Sequence, residues 1–368
     1  MKVPTLLQDK RFFSLDGLRA ISIALVVIGH VNYNDGSFIS SLGLGDYGVR
    51  IFFVISGFLI TTLLLKERIS TQTISLKNFY IRRFLRIFPV AYLFLLVLFI
   101  LNRAFDLQIP SNEFLSSALY VSNTDLLGGV SWYTGHFWSL ATEEQFYLIF
   151  PLLLLVLPIR SYVWVLIGLT ILGPALNYAV VHNVVVSRPI VVLNSMLRHM
   201  PPILIGSLTS VLMFSYGSSF VERIRYRGLI SLFLFVLAGA IQFNFVSFIP
   251  SSSYSIIVSI MIVAFIVLNL VDDTNLIFKF LNYKPVVYIG VLSYSIYIWQ
   301  QLFTHMSPWQ NVFGWSDSIL LNLGLLMVVS YVSYNFYEKK FLEIKDRFSD
   351  RAKKNISEVR SVTSHTPR

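Results

Sequence analysis

The sequence predicts an all-α protein, a polytopic bundle of about ten transmembrane helices with both termini in the cytoplasm. Three observations predict it. Hydrophobic residues make up 55% of the 368-residue chain and charged residues only 13%, against roughly 25% charged in soluble domains. Ten apolar runs are separated by short polar segments. Lys and Arg gather in alternate segments between those runs. A chain with a mean hydropathy of +0.68 could not hide its apolar surface in water, which excludes an ordinary cytosolic enzyme and a disordered chain.

The first run, 14–32, contains Asp16 and Arg19 and has no small-residue cleavage site after it. It is therefore expected to stay in the mature protein rather than act as a signal peptide. The remaining spans are expected at 46–66, 84–103, 137–158, 162–180, 195–215, 228–248, 252–271, 285–304 and 318–338. With the N-terminus inside, the inner segments hold Lys2, Lys10, Arg11, Lys66, Arg68, Lys77, Arg82, Arg83 and Arg86, and basic residues continue on that side to Arg368. Of 29 Lys and Arg, only Arg103 and Arg188 fall in outer loops. That asymmetry sets the orientation and accounts for the net charge of +10, leaving little support for a nucleic-acid partner. Residues 1–343 form the expected membrane domain. Residues 344–368 mix both charge signs with Ser and Thr and read as a solvated, disordered cytoplasmic tail. The chain has no cysteine, so disulfides and thiol nucleophiles are excluded. No His-x-x-x-His spacing occurs, and no metal is expected.

Ionisable side chains inside a span are costly and mark candidate sites. On the first helix, Arg19 and His30 are eleven residues apart. At 100° per residue they share a face, separated by about 16 Å along the axis. Asp16 lies one turn before Arg19 on the same stripe. An imidazole suits proton transfer to or from a hydroxyl, or a transient acyl-imidazole, whereas a guanidinium suits phosphate. A packing reading stands beside this one: Arg19 as an interfacial anchor paired with Asp16, and His30 as a helix-packing residue. Arg82, Arg83 and Arg86 in "FYIRRFLRIFPVAY" can share one helical face, as a phosphate clamp at the cytoplasmic mouth or as a positive-inside anchor. Glu143 and Glu144 in "GHFWSLATEEQFYLIFP" are adjacent carboxylates in an apolar span. One is expected to pair with Arg50 or to orient His30, with a structural ion pair as the plainer reading. Trp132, Tyr133, Trp138 and Tyr147 fit an interfacial aromatic belt or a surface on which sugars stack. Gly57 marks a close helix approach or room for a ligand beside the backbone.

Taken together, these segments resemble the acyltransferase-3 family of integral membrane O-acyltransferases. The resemblance covers nearly the whole chain. It runs from "FFSLDGLRAISIALVVIGH" (residues 12–30, with Arg19 and His30 as the Arg-x10-His pattern) through "GVRIFFVISGFLIT" (48–61) and the Arg-x-x-Arg of Arg83 and Arg86. It continues in "FWSLATEEQFYLIFPLLL" (137–154), "LSYSIYIWQ" (292–300) and "YNFYEKKFL" (334–342). The chain departs from the family pattern at Arg50, commonly acidic, at Gln300, often His, at Lys340, usually Pro, and at Thr142, usually aliphatic. The expected form is the membrane-only one, without the esterase-like domain that some members carry.

The resemblance implies transfer of an acyl group, usually acetyl, from cytoplasmic acyl-CoA (acetyl-CoA) to a hydroxyl of a carbohydrate or glycolipid acceptor such as lipopolysaccharide O-antigen, capsule or exopolysaccharide. It places the protein as a multi-pass protein of the cell (inner) membrane, in contact with the lipid bilayer. The roles it implies are catalytic for His30 and Glu143, and donor-binding for Arg19, Arg82, Arg83 and Arg86, with Asp16 orienting Arg19. The acceptor side is expected at Arg50, Glu144 and Trp138. One rival keeps the chemistry but acylates a small secreted molecule. The other is a transporter of a lipid-linked or anionic compound, which would not consume acyl-CoA.

Overall fold

The computed structural model describes residues 2–9, 11–33, 36–124, 126–184, 187–245, 251–270, 275–310, 312 and 316–345. Among them the chain is helical and forms no strand. In chain order the helices are α1 Phe13–Val31, α2 Leu44–Thr71, α3 Leu76–Ala104, α4 Ser111–Ala118, α5 Phe137–Val156, α6 Ile159–Val181 and α7 Arg188–Leu197. They continue with α8 Pro201–Tyr216, α9 Arg227–Gln242, α10 Ser251–Leu268, α11 Leu276–Leu281, α12 Lys284–Trp299 and α13 Ile319–Val332. Short helical turns fill several connections.

Six helices among the described residues are long and apolar enough to cross a membrane: α1, α2, α3, α5 with the turn before it, α6, and α13 continued to Lys345. Their outward faces keep large apolar side chains exposed, including Leu96, Ile100, Leu148, Trp164 and Leu320. Such a surface is stable only against lipid, and the protein is an integral membrane protein. The other four expected spans fall on α8, α9, α10 and α12, which are 16 to 18 residues long. At 1.5 Å per residue these reach about 24–27 Å, short of a hydrocarbon core of about 30 Å.

Several boundaries differ from expectation, each for a physical reason. The span expected at 195–215 is broken between Leu197 and Pro201. Pro201 and Pro202 have no backbone N–H to donate, so they start a new helix at its first turn instead of continuing α7. The helix expected at 84–103 begins at Leu76, where the Ser75 hydroxyl accepts from the Asn78 N–H. Arg82, Arg83 and Arg86 therefore sit well inside α3 rather than at its mouth. The helix expected at 285–304 stops at Trp299 and tightens into a 3₁₀ turn, Gln300–Leu302. The last span carries a π-helical turn, Ser333–Glu338. From residue 346 on, the expected tail lies outside the described residues.

The core is built around α2, which packs along α8 and against α1, while α1 also packs on α12. The α2–α8 crossing is set by a glycine on each helix. A Cβ on Gly57 would fall 1.8 Å from the Ile203 carbonyl oxygen, and one on Gly206 would fall 2.2 Å from that of Val54. Only backbones stripped of side chains approach this closely. Beside the crossing, Thr61 donates to Ser207 at 2.7 Å, and Thr62 and Ser210 share a hydrogen bond of 2.8 Å. These bonds satisfy hydroxyls that are buried in the protein.

Candidate active site

The structure brings Arg19, Arg83, Arg86 and Glu143 into the lining of one cavity between α1, α2, α3, α5 and α12. Arg19 is held there by Asp16, 2.8 Å away, and Asp16 also binds Arg11 at 2.8 Å. One carboxylate shared by two guanidiniums fixes Arg19 without neutralising both cations. Among the described residues no carboxylate lies within 4.0 Å of Arg83 or Arg86. The Arg83 guanidinium lies 4.9 Å from the centre of the Tyr147 ring, in cation–π contact. Glu143 accepts hydrogen bonds from the hydroxyls of Ser56 and Tyr147. Cations without carboxylate partners at membrane depth are costly, and their convergence fits a guest that carries several negative charges.

His30 stands at the far end of α1. Its Nδ1 lies 2.7 Å from Gln300 Oε1, and the protonated nitrogen follows from the bonds beyond. A backbone carbonyl can only accept, so Gln301 Nε2 donates to the Trp132 oxygen, 2.5 Å away. Gln301 Oε1 then accepts from Gln300 Nε2 at 2.6 Å. Gln300 Oε1 is left to face His30, so Nδ1 carries the proton and Nε2 the lone pair. A Cβ on Gly45 would lie 3.6 Å from that Nε2, so a glycine keeps its approach narrow but open. The Trp132 ring lies edge-on to His30 at 5.3 Å, and His305 lies 5.0 Å beyond Trp132.

Other expected placements are revised. Neither glutamate orients His30 or pairs with Arg50: Gln300 holds His30, and Arg50 donates to the backbone oxygen and hydroxyl of Ser255. Arg82 turns away from the cavity to Glu67, 3.2 Å away, because a neighbour on a helix is rotated by about 100°. Glu144 diverges from Glu143 for the same reason, and its buried Oε1 has no hydrogen-bond partner. Arg50 and Trp138 line a second cavity without it. Of the four residues expected in an aromatic belt, two are buried in the protein. Tyr147 is 3% exposed and serves the first cavity, and Tyr133 is buried.

Sequence reasoning missed Gln300 as the partner of His30, because 270 residues separate them. Its only signal was the departure from the family pattern after Trp299. It also missed Ser56 and Tyr147 as partners of Glu143, although Tyr147 lies one helical turn from it. A third omission is Glu338, which is 7% exposed in the π turn. It accepts from the hydroxyls of Ser295 and Ser333.

Comparison with known proteins gives the family. The family described as "Acyltransferase domain", acyltransferase-3, matches residues 12–337. Peptidoglycan O-acetyltransferase OatA of Listeria monocytogenes is 29% identical over 92% of this chain and 57% of its own. O-acetyltransferase OatA of Staphylococcus aureus is 29% identical over 77% of this chain and 49% of its own. The chain thus spans about half the length of these curated relatives. No solved structure matches. With the match covering the helices that carry Arg19, His30, Arg83, Arg86 and Glu143, the chain belongs to the acyltransferase-3 family.

Proposed function

We propose that this protein is an O-acetyltransferase of the cell (inner) membrane that moves the acetyl group of acetyl-CoA to a hydroxyl of an exported or cell-surface glycan. The observation that carries the reading is the cavity lined by Arg19, Arg83 and Arg86, with His30 on the same helix as Arg19 and about 16 Å further along it. The three guanidiniums suit the coenzyme phosphates, and a pantetheine arm can cover the remaining distance. A topology of ten crossings with both termini inside, supported by the Lys and Arg distribution, puts the arginines toward the cytoplasm and His30 toward the outside.

In the chemical step, His30 Nε2 removes the proton of the acceptor hydroxyl as its oxygen attacks the thioester carbonyl. The carbon–sulfur bond breaks, and the imidazolium returns the proton to the departing coenzyme thiolate. An acyl-imidazole on Nε2 is the two-step form of the same transfer. Gln300 holds the tautomer, and Asp16 holds Arg19. Glu143, with Ser56 and Tyr147, shapes the cavity wall beside the arginines. The relatives' names favour a peptidoglycan-like acceptor over lipopolysaccharide or exopolysaccharide.

The test is coenzyme A release from acetyl-CoA by isolated membranes, read with a thiol reagent. The chain has no cysteine and adds no thiol of its own. The wild type is expected to release coenzyme A, and His30→Ala at equal membrane level to be slower by about 10²–10⁴-fold. Equal rates in the two would overturn the mechanism, and a transporter would release none from either.

A further inference from the structure

A second cavity, of about 200 Å³, opens beside the first on the N-terminal half of α2. Val49 and Phe53 line both, so the two share a wall. The second contains Arg50, Arg198 and His199, with Asp46 its one acidic residue. Among the described residues no carboxylate lies within 4.0 Å of Arg50 or Arg198, so one positive charge is left uncompensated. Arg50 is fixed by its bonds to Ser255 and by the Tyr254 ring, 5.4 Å from its guanidinium. Its Nε is buried and has no hydrogen-bond partner. Trp138 stands in the same wall, its ring 4.6 Å from that of His199. Asp46 of this lining follows Gly45, on which a Cβ would lie 3.6 Å from His30 Nε2; His30 itself lines neither cavity.

We infer that this second cavity holds the acceptor and that Arg50 and Arg198 bind an anionic group, a carboxylate or a phosphate, that the acceptor carries. The inference rests on the acetyltransferase reading and narrows its substrate to acidic glycans. Two sources share the chemistry: the carboxylate of an acidic sugar, and a phosphate in the glycan or its lipid carrier. In either case the anion lies away from the reacting hydroxyl, so its binding energy positions that hydroxyl without entering the chemical step.

The experiment uses the full chain in lipid nanodiscs without acetyl-CoA. Calorimetry measures binding of a disaccharide of N-acetylglucosamine and N-acetylmuramic acid with a free carboxylate, of its neutral methyl ester, and of inorganic phosphate. The anion is expected to bind at least tenfold more tightly than the ester. Arg50→Gln and Arg198→Gln are each expected to lose about tenfold, and Arg50→Lys to keep most of the affinity. Tight carboxylate with weak phosphate binding assigns the acidic sugar, and the reverse assigns the phosphate. If the ester binds as well as the acid and inorganic phosphate does not bind, or if both Gln variants bind every probe unchanged, the proposal is overturned. The ester comparison needs only the wild-type protein, so a variant that fails to fold does not blunt the test. Adding acetyl-CoA separates the two readings. No coenzyme A release with any probe would defeat the transferase and leave the binding result standing. Release with the neutral ester, unaffected by Arg50→Gln, would defeat the anion site and leave the transferase standing.

Discussion

At the scale of single residues, the account turns on how His30 and the arginines are held. Gln300 fixes the His30 tautomer through one hydrogen bond of 2.7 Å. Gln300→Leu removes it and is expected to lower kcat by about tenfold to a hundredfold, the range for a lost buried hydrogen bond, with KM for acetyl-CoA unchanged. Gln300→Glu keeps an acceptor facing Nδ1 and is expected to retain more activity than the Leu variant. Steady-state kinetics in membranes separates these outcomes; a shift in KM alone would assign Gln300 to the donor site. The arginines predict the opposite split. Arg83→Ala and Arg86→Ala are expected to raise KM for acetyl-CoA about tenfold each, equivalent to about 1.4 kcal/mol. Arg82→Ala is expected to change it little, because Arg82 faces Glu67. The shared face of Arg19 and His30 was legible from spacing alone, since eleven residues fix an angle on any α-helix. Gln300 was not, because nothing local ties it to a histidine near the other end of the chain.

At the scale of elements, hydropathy located the helices, and backbone chemistry decided where they stop. All ten expected runs correspond to helices, but the α7–α8 break at Pro201 and the early start of α3 came from capping and proline effects that an apolar window averages away. The π turn at Ser333–Glu338 inserts an extra residue into a helical turn, an irregularity frequent at functional sites, and a hydropathy pattern gives no sign of it. Gly57 was readable as a close-approach residue, although its partner Gly206 was not. Gly206→Leu is expected to push α2 from α8 and to destabilise the purified protein, by the roughly 1–3 kcal/mol typical of overpacking, read as a fall in the Tm of the detergent-solubilised protein. Gly168→Ala, in α6, meets nothing within 4 Å and is the matched control, expected to leave Tm unchanged. Equal Tm values in both variants would contradict the crossing described.

At the scale of the whole molecule, the charge asymmetry makes a prediction that helix length alone does not. Among the described residues six helices reach across a bilayer by length, and the proposed ten-span topology adds crossings by α8, α9, α10 and α12 so that Lys and Arg fall on one side. Accessibility tags placed at the two termini are expected to report from the cytoplasm, and tags in the segments holding Arg103 and Arg188 from the outside. A terminus found outside would reverse the placement of the arginine cavity and of His30. The central claim, that His30 transfers acetyl from the arginine-lined cavity to an envelope glycan, is tested most directly by NMR of ester-linked acetyl on extracted glycans. The comparison is between cells carrying the wild type and cells carrying His30→Ala at equal membrane level. The account predicts acetyl esters on an acidic glycan in the wild type and their loss in the variant. The same acetyl content in both would contradict it.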